Sequence, residues 1–317
     1  MTVSFDEIKA LAQSGNADAQ AELGYCYLKG KETKEDLIAA KEWFEKSAAQ
    51  NCPKGLYLLG FCYEKGITVN KDFTLAFQLY LKSAEQEYSP AQTALGYCHY
   101  YGVGTPIDYD TAFYWHEKAA KQGHPKAQIK LANAHYALGR GVELSEKKAF
   151  EWQLKAAEQG LSEAQCAVGI SYMYEKGTER SFEKAEKFLR LAAEQKNINA
   201  KALLKKLDEE RTKLEYTENY SLYLKEAEEG NAVSQYKLSF CCSNGYGTEI
   251  NKEKAFEWCL KSAEQGYDKA QCDAGFYFLF GIGTEANREK AEMFYQLAAE
   301  QGNEKAISWV KKLKNKQ

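Results

Sequence analysis

Apolar and polar residues alternate along this chain with two nested periods. Within segments of 12 to 14 residues the apolar positions fall at i, i+3, i+4 and i+7, as in KAFEWCLKSAEQG, and predict helices with one buried stripe. Over longer distances the whole pattern recurs. A Leu-Gly marker or its variant stands at Leu23-Gly24, Leu59-Gly60, Leu95-Gly96, Leu131-Ala132, Val168-Gly169, Leu238-Ser239 and Ala274-Gly275, with gaps of 36, 36, 36, 37, 70 and 36 residues. A fixed period of this size means one supersecondary unit copied along a line.

Each unit divides into two helices. The first, helix A, is expected over segments such as AQAELGYCYLKG, with Pro53, Pro90 and Pro125 near its start, where an intrahelical acceptor is missing anyway. Gly30, Gly66, Gly102, Gly245 and Gly281 are placed to end it in a left-handed conformation. Helix B follows, with alanines at Ala40, Ala76, Ala112, Ala149, Ala185, Ala255 and Ala291 that allow close approach to helix A. Trp43, Trp115, Trp152 and Trp258, with Leu79, Phe188 and Phe294 in the same slot, are expected to fill the space between units. A single pair cannot bury all this surface; stacked pairs can.

The predicted layout is a cap helix over 4–16, repeats over 17–52, 53–88, 89–124, 125–161 and 162–196, a degenerate unit over 197–230, repeats over 231–266 and 267–302, and a cap over 303–317. In the degenerate unit AKALLKKLDEERTKL replaces the usual helix A, and LYLKEAEEG supplies helix B. In the C-terminal cap Trp309 and Leu313 are expected to face inward, and Lys311, Lys312, Lys314 and Lys316 outward. All 317 residues read as one all-α, right-handed solenoid superhelix of helix-turn-helix repeats.

Composition narrows the chemistry. With Lys+Arg 42 against Asp+Glu 45 the net charge is −3, which offers no long-range attraction to nucleic acid or anionic lipid. No run approaches the roughly 18 apolar residues of a membrane span. The N-terminus lacks a basic stretch leading into an apolar one, so a cytoplasmic protein without a signal peptide is expected. Cys26, Cys62 and Cys98 recur at the repeat spacing. Equivalent atoms of neighbouring repeats lie about 8–10 Å apart, beyond the ~7 Å Cα limit for a disulfide. The nine cysteines therefore read as reduced core residues.

The pairs Gly102/Gly104, Gly139/Gly141, Gly245/Gly247 and Gly281/Gly283 follow helices and lack a third glycine, so they read as A–B turns and not as phosphate cradles. Carboxylates occur as helix-surface pairs such as Glu42/Lys46 and Glu151/Lys155. All four histidines lie in two adjacent units. His99 and His135, one period apart, could face each other with Cys98 or His116 as a third ligand; filled tyrosine slots are the simpler reading.

The pattern A-x-x-L-G-x-x-Y-x-x-G, a short loop, then K-A-x-x-W-x-x-K-A-A-x-Q-G resembles the Sel-1-like repeat, a relative of the tetratricopeptide repeat, over essentially the whole chain. The cysteine pair seven residues apart that staples one branch of that family is absent. The resemblance implies a non-enzymatic scaffold or adaptor for protein complexes, needing no cofactor. It also implies that the residue after the marker glycine faces a concave groove: Tyr25, Phe61, Tyr97, Phe240 and Phe276, joined by Tyr57, Tyr100, Tyr101, Tyr136, Tyr236 and Phe280. Such rings either bind an extended or helical segment of another protein, or are buried against the next helix A. The expectation is a monomer that takes a protein or peptide, with neither nucleic acid nor membrane insertion. The alternative is an enzyme or metal-dependent protein using the His99/His135 region.

Overall fold

The computed structural model describes residues 4–314, so the expectation for Lys316 lies outside the described residues. Among the described residues there are helices and no strand. They form two compact units, Met1–Lys205 and Lys206–Gln317.

In the first unit a cap helix α1 (Phe5–Gln13) precedes the helix pairs α2/α3 (Ala17–Lys29, Leu37–Ala49), α4/α5 (Pro53–Lys65, Phe73–Ala84) and α6/α7 (Ser89–Tyr101, Tyr109–Lys121). Next come α8 (Pro125–Lys130), running on as a π-helical turn Leu131–Tyr136, then α9 (Glu146–Glu158) and the pair α10/α11 (Ser162–Tyr174, Phe182–Glu194). The boundary between the units falls inside α12 (Ile198–Glu218). The second unit continues with α13 (Tyr220–Glu228), α14/α15 (Ala232–Asn244, Lys252–Glu264), α16/α17 (Asp268–Phe280, Arg288–Glu300) and the cap α18 (Glu304–Lys314).

Local chemistry starts and stops these helices. Asp36, Asp72, Asp108, Ser145, Ser181, Asn251 and Asn287 each cap a helix B by accepting from backbone N–H groups of its first turn. Ser4 and Glu7 form a capping box on α1. The second glycine of each Gly-x-Gly pair has a separate cause. A Cβ on Gly104 would stand 2.1 Å from the Phe73 carbonyl oxygen, and one on Gly283 would stand 2.1 Å from that of Lys252. The A–B loop of one repeat is thus pressed onto the start of helix B of the repeat before it.

The marker glycine answers to a large side chain on its own helix B. A Cβ at Gly24, Gly60, Gly96, Gly169 or Gly275 would collide with Phe44, Tyr80, His116, Leu189 or Tyr295. Where the marker is Ala132 or Ser239, the equivalent helix B residue is Gln153 or Cys259. The repeats hold A against B by pairing small with large. The helix B alanines that open each stripe are buried, Ala40, Ala76 and Ala112 completely.

A glutamine ladder ties repeat to repeat. Gln92, fully buried, donates to the Ala84 carbonyl of the previous helix B (3.2 Å) and accepts from Gln122 of its own (2.8 Å). The same pair of bonds is made by Gln20, Gln128, Gln165, Gln235 and Gln271. The second repeat has Leu56 in this slot, and its Gln86 turns back to the Lys82 carbonyl. Trp43, Trp115, Trp152 and Trp258 are half-buried and pack on the repeat interfaces. Lys46 and Lys155, expected to pair with Glu42 and Glu151, instead lie over the Trp43 and Trp152 rings at 4.2 and 4.1 Å.

The irregular stretches have readable causes. The fourth repeat carries one more residue between its proline and its closing glycine than the second, and the π-turn over Leu131–Tyr136 absorbs it. In the degenerate unit α12 runs 21 residues, and one residue, Asn219, separates it from α13. The usual A–B loop is missing there. At the C-terminal end Trp309 stacks on Tyr295 at 5.6 Å, and Leu313 is buried. All nine cysteines are buried and free, and burial pushes the thiols of Cys62 and Cys98 up to about 11 and about 12.

Candidate binding grooves

Helix A supplies every candidate groove residue, so the helical rotation of about 100° per residue decides which rings reach solvent. Tyr25, Tyr97, Phe240 and Phe276, directly after the marker position, are exposed. Four residues on, Tyr101 and Phe280 are more exposed still, at 55% and 53%. Tyr97 and Tyr101 form a ring pair at 4.6 Å, and Phe276 and Phe280 repeat it at 4.6 Å. Tyr57, Phe61 and Tyr236 are half-buried.

Tyr100 and Tyr136 belong elsewhere, being 5% and 6% exposed. They share one slot, three residues beyond the groove slot; in the α-helix of Tyr100 that offset turns the ring about 60° away from Tyr97. Tyr100 packs on Tyr109 and His135 and accepts a hydrogen bond from Arg140 (2.5 Å). Tyr136 packs edge-on against Phe113. The expectation that these two rings line a groove is corrected: they are interface core.

In the first unit the exposed Tyr97 borders a concavity of about 580 Å³ walled also by Tyr57, Phe61, Pro90 and Pro125, with Lys126 and Lys130 along one side. Tyr57 is wedged between Tyr80 and Tyr88, each 5.7 Å away. At one end Glu64 accepts from Tyr80 Oη (2.7 Å) and from Lys65. The second unit has two adjoining concavities, of about 300 and about 550 Å³, that share Tyr236, Phe240 and Asp273. Tyr236 donates to Asp273 (2.8 Å), whose carboxyl is pushed above its ordinary range by burial, against the pull of that bond and of Lys305. Tyr216, 4.9 Å from Phe240, lines the larger of the two, and Tyr267 packs behind Tyr236 at 5.3 Å.

The histidines do not assemble as the spacing suggested. His135 meets His116, not His99: His116 Nδ1 and His135 Nε2 are 2.9 Å apart. His135 Nδ1 lies 2.6 Å from the Arg140 carbonyl oxygen, which makes it a donor. In the neutral pair His135 Nε2 then accepts from His116 Nδ1, leaving His116 Nε2 buried without a hydrogen-bond partner. Burial, with His135 and Lys130 nearby, presses His116 down to about 3; the Thr93 carbonyl pulls weakly the other way. His99 packs edge-on against Phe77 at 5.4 Å. The π-turn explains the pairing, since it swings His135 toward helix B of the preceding repeat. The 37-residue period was its only trace in the sequence. Among the described residues no three His, Cys, Asp or Glu side chains converge as a metal site would require.

Seven stretches of the chain, 17–52, 53–88, 89–124, 125–161, 162–197, 232–267 and 268–303, match the Sel1 repeat. The chain belongs to the Sel1 repeat family. Sel1 repeat proteins are in general protein-interaction scaffolds. The unmatched residues between 197 and 232 are those of α12 and α13. Among solved structures, a protective antigen of uropathogenic Escherichia coli with an SLR fold is 32% identical, covers 98% of this chain and 67% of its own, and superposes with a TM-score of 0.57. A Sel1 repeat protein from Oxalobacter formigenes is 26% identical over 97% of this chain and 89% of its own, with a TM-score of 0.42. The secretory immunoglobulin A-binding protein EsiB of Escherichia coli is 47% identical over 45 residues. That match spans 14% of this chain and 9% of the length of the curated relative. No helix among the described residues is long and apolar enough to cross a membrane.

Proposed function

We propose that this Sel1 repeat protein is a non-enzymatic scaffold or adaptor that holds a segment of a partner protein on the helix A rings. The observation that carries the reading is the pair of solvent-facing aromatic couples, Tyr97–Tyr101 and Phe276–Phe280, each beside an open concavity of its unit. Core rings would be covered; these are not. Rigid aromatic side chains offer large contact area at small rotamer cost, which suits them to be binding anchors. The likeness to an immunoglobulin-binding protein, short as it is, agrees with a protein ligand.

The test is a Tyr97→Ala/Phe240→Ala variant compared with the parent chain. Affinity capture followed by mass spectrometry identifies partners of the parent; the variant is expected to lose them while its melting temperature changes by no more than a degree or two. Retained capture would overturn the groove reading. A large drop in melting temperature would show that the rings act as core.

A further inference from the structure

The charges along the first unit's groove are not balanced, and the imbalance names a partner chemistry. Two carboxylates line this groove, Glu64 and Glu163. Glu64 is already engaged by the Tyr80 hydroxyl and the Lys65 ammonium group, whereas Glu163 has no such partner among the described residues. In the same lining Lys126 and Lys130 stand four residues apart on α8, so they project from one helical face. Lys126 is exposed and Lys130 half-buried, and among the described residues no ion pair joins either of them. The two histidines in the same wall, His116 and His124, face these lysines and are kept neutral by burial. The lining therefore combines aromatic rings with two lysines, Lys126 and Lys130, against one unengaged carboxylate, although the chain as a whole carries −3.

We infer that this groove takes an acidic segment of a partner polypeptide, with an apolar or aromatic side chain packed between Phe61 and Tyr97 and flanking carboxylates set against Lys126 and Lys130. The inference rests on the groove binding a polypeptide at all. Single-stranded nucleic acid also stacks on rings, but it needs a cationic track that follows the backbone, and two lysines do not make one. Complementary rim charge chiefly sets partner choice and encounter rate, so the lysines act as selectors and the rings as anchors.

Selection of a random displayed peptide library on the full chain tests this, with fluorescence anisotropy on the peptides recovered. The expected peptides carry Asp or Glu next to an aromatic or large apolar residue. Their Kd should weaken about tenfold in Lys126→Glu/Lys130→Glu, severalfold in Lys126→Gln/Lys130→Gln, and further with added salt. Tyr97→Ala should abolish binding. Peptides rich in Lys or Arg, or acidic peptides indifferent to the lysine changes, would overturn the acidic assignment; sensitivity to Tyr97→Ala would then leave the groove intact. Peptides insensitive to Tyr97→Ala, an empty selection, or binding of an oligothymidylate probe in their place would remove both. Thermal melting of each variant checks that it is folded.

Discussion

Helix A of the second repeat (α4) and helix A of the seventh, with the degenerate unit counted (α14), place a tyrosine in the same slot, Tyr57 and Tyr236, and the two rings pack alike. Each meets the tyrosine that precedes the next helix A, Tyr88 at 5.7 Å and Tyr267 at 5.3 Å. The hydroxyls differ. Tyr236 donates to Asp273, whereas the residue equivalent to Asp273 beside Tyr57 is Ala94. The marker positions differ too: Gly60 faces Tyr80, while Ser239 stands opposite Cys259 and donates to the Ala255 carbonyl at 2.6 Å. Two repeats can therefore share a backbone and diverge in side chains, provided that each small-for-large exchange is answered across the helix pair. The groove inherits the freedom left over. Both linings carry tyrosine and phenylalanine, but the first unit's adds Lys126 and Lys130 and the second's a half-buried Asp273.

The sharpest way to break this comparison is to give the second repeat the seventh's marker. A Cβ at Gly60 would lie 2.8 Å from the Tyr80 ring and 3.2 Å from the Ala76 carbonyl oxygen. Gly60→Ser should cost about 3 kcal/mol, at the upper end of overpacking. Ser239→Gly, which loses one buried hydrogen bond and gains backbone freedom, should cost about 1–2 kcal/mol. Denaturant melts of both variants measure the difference. Adding Tyr80→Cys to Gly60→Ser recreates the seventh repeat's pair, so the double variant should be less unstable than the two single costs added together.

In the third repeat the residue equivalent to Tyr80 is His116, and there the comparison acquires a pH dependence. Its folded pKa, about 3, lies below the ordinary histidine value of 6.5. His124 and His135 are also shifted down by burial. A depressed histidine is neutral when folded, so below pH 6.5 the unfolded chain binds more protons and the native state loses stability as pH falls toward 3. The melting temperature should therefore decline through this window. His116→Phe leaves His135 Nε2 without its donor and should cost about 1–3 kcal/mol at pH above 7, a deficit that narrows on acidification. A deficit constant with pH would show that His116 does not titrate as the buried pair requires.

Much of this was legible in the sequence because periodicity reports on helices and on which face they bury. Leu-Gly, the helix B alanines and the closing glycines each mark a contact that only a small residue permits. What stayed hidden depends on angles that spacing does not encode. Tyr97 and Tyr100 differ by three residues and look equally suited to a groove, yet the rotation between them carries Tyr100 into the next interface. An extra residue in the fourth repeat is visible as a count, but not as a π-turn that hands His135 to His116. The charged degenerate unit was visible, whereas the fusion of its turn into a 21-residue helix was not, since Glu, Lys and Arg favour a helix without specifying where it stops.

The smallest expected effect isolates the hydroxyl. Tyr57→Phe and Tyr236→Phe each remove one oxygen and leave the ring contacts in place. At Tyr57 no protein acceptor is bonded to the hydroxyl among the described residues, so stability should change by less than about 0.5 kcal/mol. At Tyr236 the partner is a carboxylate that burial already pushes upward, and the lost donor is one of the two influences lowering it. Tyr236→Phe should cost about 1–2 kcal/mol near neutral pH and raise the Asp273 pKa further. A carboxyl with a raised folded pKa is more easily protonated when folded than when unfolded, so the penalty should shrink as pH falls and Asp273 takes up its proton. Denaturant melts at neutral and mildly acidic pH read this directly. Equal costs at the two tyrosines would mean that Asp273 draws nothing from Tyr236, and that the second unit's groove is set by its rings alone.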